Sequence, residues 1–184
     1  MRIERVNEKD MADLLEIYAP YVEKTAVSFE YDVPSAEEFA DRIRKISAEY
    51  PFLKAVDNSG KILGYAYAAK FKDRAAYNYA VETTIYVREN QRRSGVGKSL
   101  YDALEKLLGN MGILNLNACI AYTSTEDEHL TNASMYFHEK MGYTLVGTFH
   151  KCGYKFNKWY DMIWMEKIIG EHITEQLPVK FGNY

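Results

Sequence analysis

Val81–Leu108 reads VETTIYVRENQRRSGVGKSLYDALEKLL, and its three parts decide the fold. Val81–Val87 is rich in β-branched residues and predicts a strand. Arg92-Arg93-Ser94-Gly95-Val96-Gly97-Lys98 is a short glycine-bearing loop. From Val96 onward, Leu100, Leu104, Leu107, Leu108 and Met111 recur at helical spacing, and Gly112 is a natural stop. A strand that feeds a glycine loop at a helix N-terminus is a place to hold phosphate, because the first-turn N–H groups and the positive end of the helix dipole face the anion. Glu82 stands on the same strand, a carboxylate among apolar neighbours, which marks a cleft or solvent on that side.

The elements on either side set the sheet. Arg2–Val6 alternates and predicts a strand; a helix beginning near Asp10 follows from Met11, Leu14, Leu15, Tyr18 and Val22. Thr25–Pro34 reads as loop, and Ser35 with Glu38 as a capping box opening a helix to about Glu49. Phe52–Val56 and Ile62–Ala69 flank Asp57-Asn58-Ser59-Gly60, a hairpin turn, and a third strand covers Tyr77–Val87. Beyond the loop helix come a buried strand at Leu114–Ala121, a polar loop, a short helix from about Asn132 to Met141, and strands at Leu145–Phe149 and Trp159–Met165. The order β-α-α-β-β-β-α-β-α-β-β, with hairpins beside helical crossovers, predicts a mixed α/β (α+β) sheet, not a doubly wound parallel one. No linker divides the chain, so one domain is expected over 1–169 with a tail over 170–184.

Composition narrows the function. A net charge of −3 gives no basic excess for nucleic acid, and no apolar run is long enough to span a membrane. The two cysteines, Cys119 and Cys152, form neither a disulfide framework nor a zinc pattern; reduced thiols in a cytoplasmic protein are expected, Cys119 as a core thiol. The loop excludes two nucleotide motifs, each at one position. A Walker A loop needs glycine where Arg92 stands, and a dinucleotide fingerprint needs glycine where Leu100 stands.

What remains, Arg92 to Gly97 as RxxGxG, resembles the coenzyme A pyrophosphate loop of the GNAT acetyltransferase superfamily. The resemblance extends to the phosphinothricin acetyltransferase branch through YVEKTAVSFEYDVPS, FKDRAAYNYAVETTIYV, FHEKMGY and GYKFNKWYDMIWMEK, which are spread over nearly the whole chain. It implies a mostly antiparallel, twisted sheet flanked by helices, acetyl-CoA as donor, no metal, and a homodimer. The acceptor it implies is a small amine such as phosphinothricin or methionine sulfoximine. By the same resemblance Arg92, Arg93, Ser94, Gly95, Val96, Gly97 and Lys98 hold the pyrophosphate, and Ile85, Tyr86 and Val87 pair with the pantetheine arm. Glu82 becomes the general base and His138 a second catalytic candidate, with a packed structural histidine as its rival reading. Arg74 would pair with the acceptor's anionic group, and Phe29 and Tyr77 would line its pocket. The branch's NxxSxxxHE pattern has Thr131 where asparagine is usual; Asn132, one residue nearer, or Thr131 itself is left to meet the cofactor. Other amines, or an acyl-CoA-binding domain without turnover, remain as alternatives.

Overall fold

A computed structural model describes residues 1–182 and 184. Its elements are β1 (Arg2–Arg5), α1 (Met11–Lys24), α2 (Ala36–Glu49), β2 (Phe52–Val56), β3 (Ile62–Lys70), β4 (Ala80–Val87), α3 (Val96–Met111), β5 (Asn115–Tyr122), α4 (Ala133–Lys140), β6 (Thr144–Lys155) and β7 (Lys158–Ile168). The seven strands form one sheet in the order β1-β2-β3-β4-β5-β7-β6. Every neighbouring pair is antiparallel except β4 with β5. Element order and mixed topology are those expected from the sequence.

Helices cover both faces, which is why β2 is buried at all five residues. On one face Leu14, Ile17 and Tyr18 of α1 and Phe39 and Ile43 of α2 pack on Phe52, Val56 and Tyr65. On the other, Leu100, Leu104 and Leu108 of α3 pack on Leu53, Ala55, Ala66, Val81 and Leu116. A third, smaller cluster of Ala26, Leu130 and Tyr160 joins the α1–α2 loop to the ends of β5 and β7.

Four local expectations are corrected. Ser35 does cap α2, its hydroxyl accepting from Glu38 N–H at 3.2 Å, but the Glu38 carboxylate takes Arg42 at 2.6 Å and leaves the capping box half formed. Tyr77 belongs to a 3-10 turn over Ala75–Tyr77, closed by its N–H on the Arg74 carbonyl, and the strand starts only at Ala80. The last hairpin is far longer than predicted. Its two-residue turn is Phe156–Asn157, both at positive φ (51° and 56°), a primed-turn geometry hidden by the absence of glycine. Cys119 is exposed rather than core, on the face opposite Leu116, Ala118 and Ile120.

The tail lies over the surface. Lys180 N–H donates to the Met111 carbonyl, Gly182 N–H to that of Glu49, and the Tyr184 hydroxyl to that of Ser47, while Arg5 stacks over the Tyr184 ring.

Candidate active site

The parallel pairing of β4 with β5 lasts only from Ala80↔Asn115 to Glu82↔Asn117. Beyond it the two strands splay, β4 running on to Val87 and β5 to Tyr122. Arg88 N–H donates to Leu63 on the β3 side, so by alternation the N–H groups of Ile85 and Val87 point into the gap. There the Val87 carbonyl accepts from the Tyr21 hydroxyl at 2.6 Å, and its N–H makes only a long contact (3.4 Å) to the same oxygen. The gap thus offers strand-like hydrogen bonding without a strand. Tyr86 points its ring away from α3, into the Tyr18–Tyr21 aromatic group, so it offers the gap no side chain.

Above the gap lies the glycine loop. Gly95, at φ 87°, is the residue from which α3 starts, a left-handed conformation that disfavours any other residue. Arg93 is also left-handed at 63°. Alternating hands of this kind turn successive N–H groups to one side. No side chain caps α3, and the first helical bond is Ser99 N–H to Gly95, so the N–H groups of Val96, Gly97 and Lys98 have no partner among the described residues. Gly97 is small for another reason: an added Cβ would sit 3.1 Å from the Phe137 ring. Ser94 is tied to the Gln91 carbonyl, Lys98 pairs with Asp102, and the Arg92 guanidinium lies 5.5 Å over the Tyr21 ring. A sixteen-residue helix with a bare N-terminus and two arginines beside it fits a diphosphate.

Below the gap, Glu82 projects from the face that carries α1 and α2, level with Asn117. Burial raises its pKa above the ordinary glutamate value, and the charge of Lys72 works against that rise. On the same face, two residues further along β5, stands Cys119, level with Trp164 of β7. Phe71 meets both Trp164 and Tyr77 edge-on, and the Lys72 ammonium lies over Phe71 and Trp164. Tyr67, whose pKa is also raised by burial, lies within the influence of the charges of Glu82, Arg42 and Glu30, the last two forming an ion pair. The result is an aromatic-walled cleft over one half-buried carboxylate. A neighbouring hollow of about 510 Å³, lined by Phe71, Tyr77, Asn117 and His172, continues it toward the tail.

The remaining candidates separate. Tyr77 is exposed on the cleft's rim, and Arg74 stands beside it with no side-chain hydrogen bond or ion pair among the described residues. Phe29 packs on Tyr160 and lies directly on Gly153, where an added Cβ would fall 2.3 Å from the ring. Gly153→Ala is therefore expected to cost about 1–3 kcal/mol in a urea melt, and to move Phe29.

Two further candidates bond to the protein itself. His138 is 2% exposed on the opposite side of β4 from Glu82, packed among Tyr101, Phe137 and Tyr143. Its Nδ1 lies 2.7 Å from the Ser134 carbonyl, which can only accept, so Nδ1 carries the proton; Nε2 then accepts from the Tyr101 hydroxyl at 2.9 Å. Both nitrogens are used, and burial lowers the pKa to about 4. Packed this way the ring is neutral at pH 7, with neither nitrogen free. The Asn132 side chain donates to the Thr123 carbonyl and accepts from Thr123 N–H, fixing the loop after β5.

The acetyltransferase (GNAT) domain family matches residues 3–164. The chain belongs to the GNAT acetyltransferases. Among its GNAT relatives, the phosphinothricin N-acetyltransferase of Streptomyces viridochromogenes is 33% identical over 153 residues, covering 83% of this chain and 79% of that protein. The L-methionine sulfoximine/L-methionine sulfone acetyltransferase of Pseudomonas paraeruginosa is 30% identical over 158 residues, covering 85% and 88%. A GNAT phosphinothricin acetyltransferase from Sinorhizobium meliloti, solved with AcCoA, superposes with a TM-score of 0.86 at 27% identity over 100% of this chain and 98% of its own. As a GNAT enzyme the chain is an acetyl-CoA-dependent N-acetyltransferase, and its splayed strands and bare α3 N-terminus fit that donor. Lys72, Tyr67, Trp164 and the Glu30–Arg42 pair are the cleft residues that sequence reasoning missed; nothing in their local pattern distinguishes them from packing or solvated charge. Among the described residues no helix is long and apolar enough to cross a membrane, and no three His, Cys, Asp or Glu side chains are grouped to hold a metal.

Proposed function

We propose that this enzyme acetylates the amine of a small amino-acid-like acceptor, of the phosphinothricin or methionine sulfoximine type, with Glu82 as general base. The observation that carries the reading is Glu82 itself, a half-buried carboxylate of raised pKa below the strand splay and inside an aromatic-walled cleft. Acetyl-CoA supplies an activated acetyl thioester. The α3 N-terminus with Arg92 and Arg93 would hold its diphosphate, Ile85 and Val87 would bond its pantetheine arm, and the Val87 N–H is the donor available to a developing oxyanion. Glu82 would take a proton from the acceptor ammonium, directly or through water, so that the free amine attacks the thioester carbonyl; the C–N bond forms as the C–S bond breaks, and the second amine proton leaves with the sulfur as coenzyme A thiol.

Direct transfer in a ternary complex is supported by the state of Cys119, the cysteine on the cleft face. Although it meets solvent, desolvation by the cleft walls and then the charge of Glu82 push its pKa up to about 12, so it stays a thiol at neutral pH. A homodimer is supported by the free edge of the sheet. On β6, Leu145, Val146 and Phe149 are each more than half exposed, as is Trp159 on β7. Free Cys119 and Cys152 accord with a reducing cytoplasm.

A thiol-release assay over amino acids, phosphinothricin, methionine sulfoximine, polyamines and aminoglycosides tests the assignment. Turnover confined to the anionic amino-acid acceptors is expected; turnover of cationic amines alone would overturn it. Arg74→Ala should raise KM for carboxylate-bearing acceptors about tenfold and leave acetyl-CoA binding alone, whereas Arg92→Ala should do the reverse.

A further inference from the structure

Among the described residues, one buried lysine forms no ion pair with a carboxylate. Lys155, the last residue of β6, is 4% exposed, and its Nζ donates to three backbone carbonyls: Val22 at 2.6 Å, Thr25 at 2.9 Å and Ser28 at 2.8 Å. An ammonium has three protons, and all three are used. Val22 and Thr25 lie at the C-terminal end of α1, where carbonyls go unpaired and a positive charge is favoured. Lys155 is therefore the C-terminal cap of a helix 130 residues away in sequence.

Other bonds gather at the same place. The Tyr31 hydroxyl donates to the Tyr154 carbonyl, Phe29 lies on Gly153, Ala26 N–H donates to the His129 carbonyl, and the His129 ring stacks on Phe156 at 3.8 Å. The α1–α2 loop, the loop after β5 and the β6–β7 turn thus meet around one ammonium. The two sides of this junction belong to the two arms of the splay. Helix α1 holds β4 through Tyr21 and Val87, and the β6–β7 hairpin holds β5 through β7.

We propose that Lys155 is a positioning residue that clasps the two arms of the splay and thereby sets the acceptor side of the cleft, with Phe29 and Glu30 carried on the clasped loop. The inference rests on the reading of the Glu82 face as the acceptor side. Loss of the clasp leaves the α3 N-terminus in place and reaches the donor only through Tyr21, which touches Val87 and Arg92, so the acceptor suffers more than the donor.

The test uses Lys155→Met, which keeps the stem without the charge, in the full chain. KM for the acceptor should rise about tenfold or more, while acetyl-CoA affinity measured by calorimetry changes less than about twofold. Amide hydrogen exchange over residues 22–31 should quicken. In Lys155→Ala the three carbonyls surround a vacant hole. Added potassium or ammonium ions, which carbonyl cages accept, should restore the slow exchange there and fail to do so in Lys155→Met. A folded variant with unchanged acceptor KM and unchanged exchange overturns the proposal, as does an equal rise in KM for both substrates. Failure of both variants to fold, with or without the ions, would make Lys155 a stability residue only and overturn it as well. If the parent enzyme acetylates no amine, the proposed function fails, yet exchange and ion rescue still decide the clasp.

Discussion

Glu82→Gln is expected to lower kcat/KM for the acceptor by about 10²–10⁴-fold at neutral pH, with acetyl-CoA affinity retained. Glutamine keeps the size of the side chain and its place level with Asn117, but it cannot take the ammonium proton. The pH profile makes the assignment specific. The folded pKa of Glu82 is raised, so the parent enzyme should lose activity as pH falls through a value above the ordinary glutamate range. That acid limb should vanish in the variant. The deficit should also shrink on the alkaline side, where the acceptor amine is already free. A variant whose profile keeps the same acid limb would remove Glu82 from the base role, leaving water or another group to accept the proton.

His138 is expected to dominate the acid sensitivity of the fold. An unfolded histidine titrates near 6.5, while the folded ring is held to about 4 by burial. Above 6.5 both states are neutral and the residue makes no pH-dependent contribution. Between 6.5 and 4 the unfolded chain binds a proton that the folded chain refuses, so stability falls as pH falls. The loss approaches about 3 kcal/mol by pH 4. Urea melts at pH 7 and at pH 4.5 measure it. In His138→Gln the stability at pH 7 should drop by about 1–3 kcal/mol, because the Tyr101 hydroxyl loses its acceptor. The steep dependence below pH 6.5 should be gone. An equally steep dependence in the variant would assign the acid sensitivity to other groups.

The element order was legible because nearly every element carries its own period, cap or glycine. Helix α3 is the clearest case, with its apolar stripe between Gly95 and Gly112, both left-handed. The glycine loop proposed to hold the diphosphate was legible for the same local reason, and Glu82 stood out as a charge in a β-branched strand. What could not be read depends on partners distant in sequence. His138 looks like any histidine near a helix end until Tyr101 and Ser134 close on its nitrogens. Asn132 matched a motif shifted by one residue, and Thr123 had already claimed its amide. Cys119 sits in an apolar strand but on the side that faces the cleft. The long β6–β7 hairpin was masked by a bulge at Lys151 and by a turn made of phenylalanine and asparagine. Lys155 gives no local sign at all, since all three of its acceptors are backbone oxygens at least 127 residues away.

The short pairing of β4 with β5 also bears on how the enzyme behaves in the cell. A sheet that stops pairing at Glu82 leaves part of its own cohesion to a ligand lying in the gap. With acetyl-CoA in the gap, as proposed above, the donor acts as a folding ligand. At a concentration 100 times its dissociation constant, any molecule that binds only the folded chain adds about 2.7 kcal/mol to stability. The lifetime of this enzyme against proteolysis and heat should therefore follow the acetyl-CoA supply, linking its abundance to the metabolic state that sets its rate.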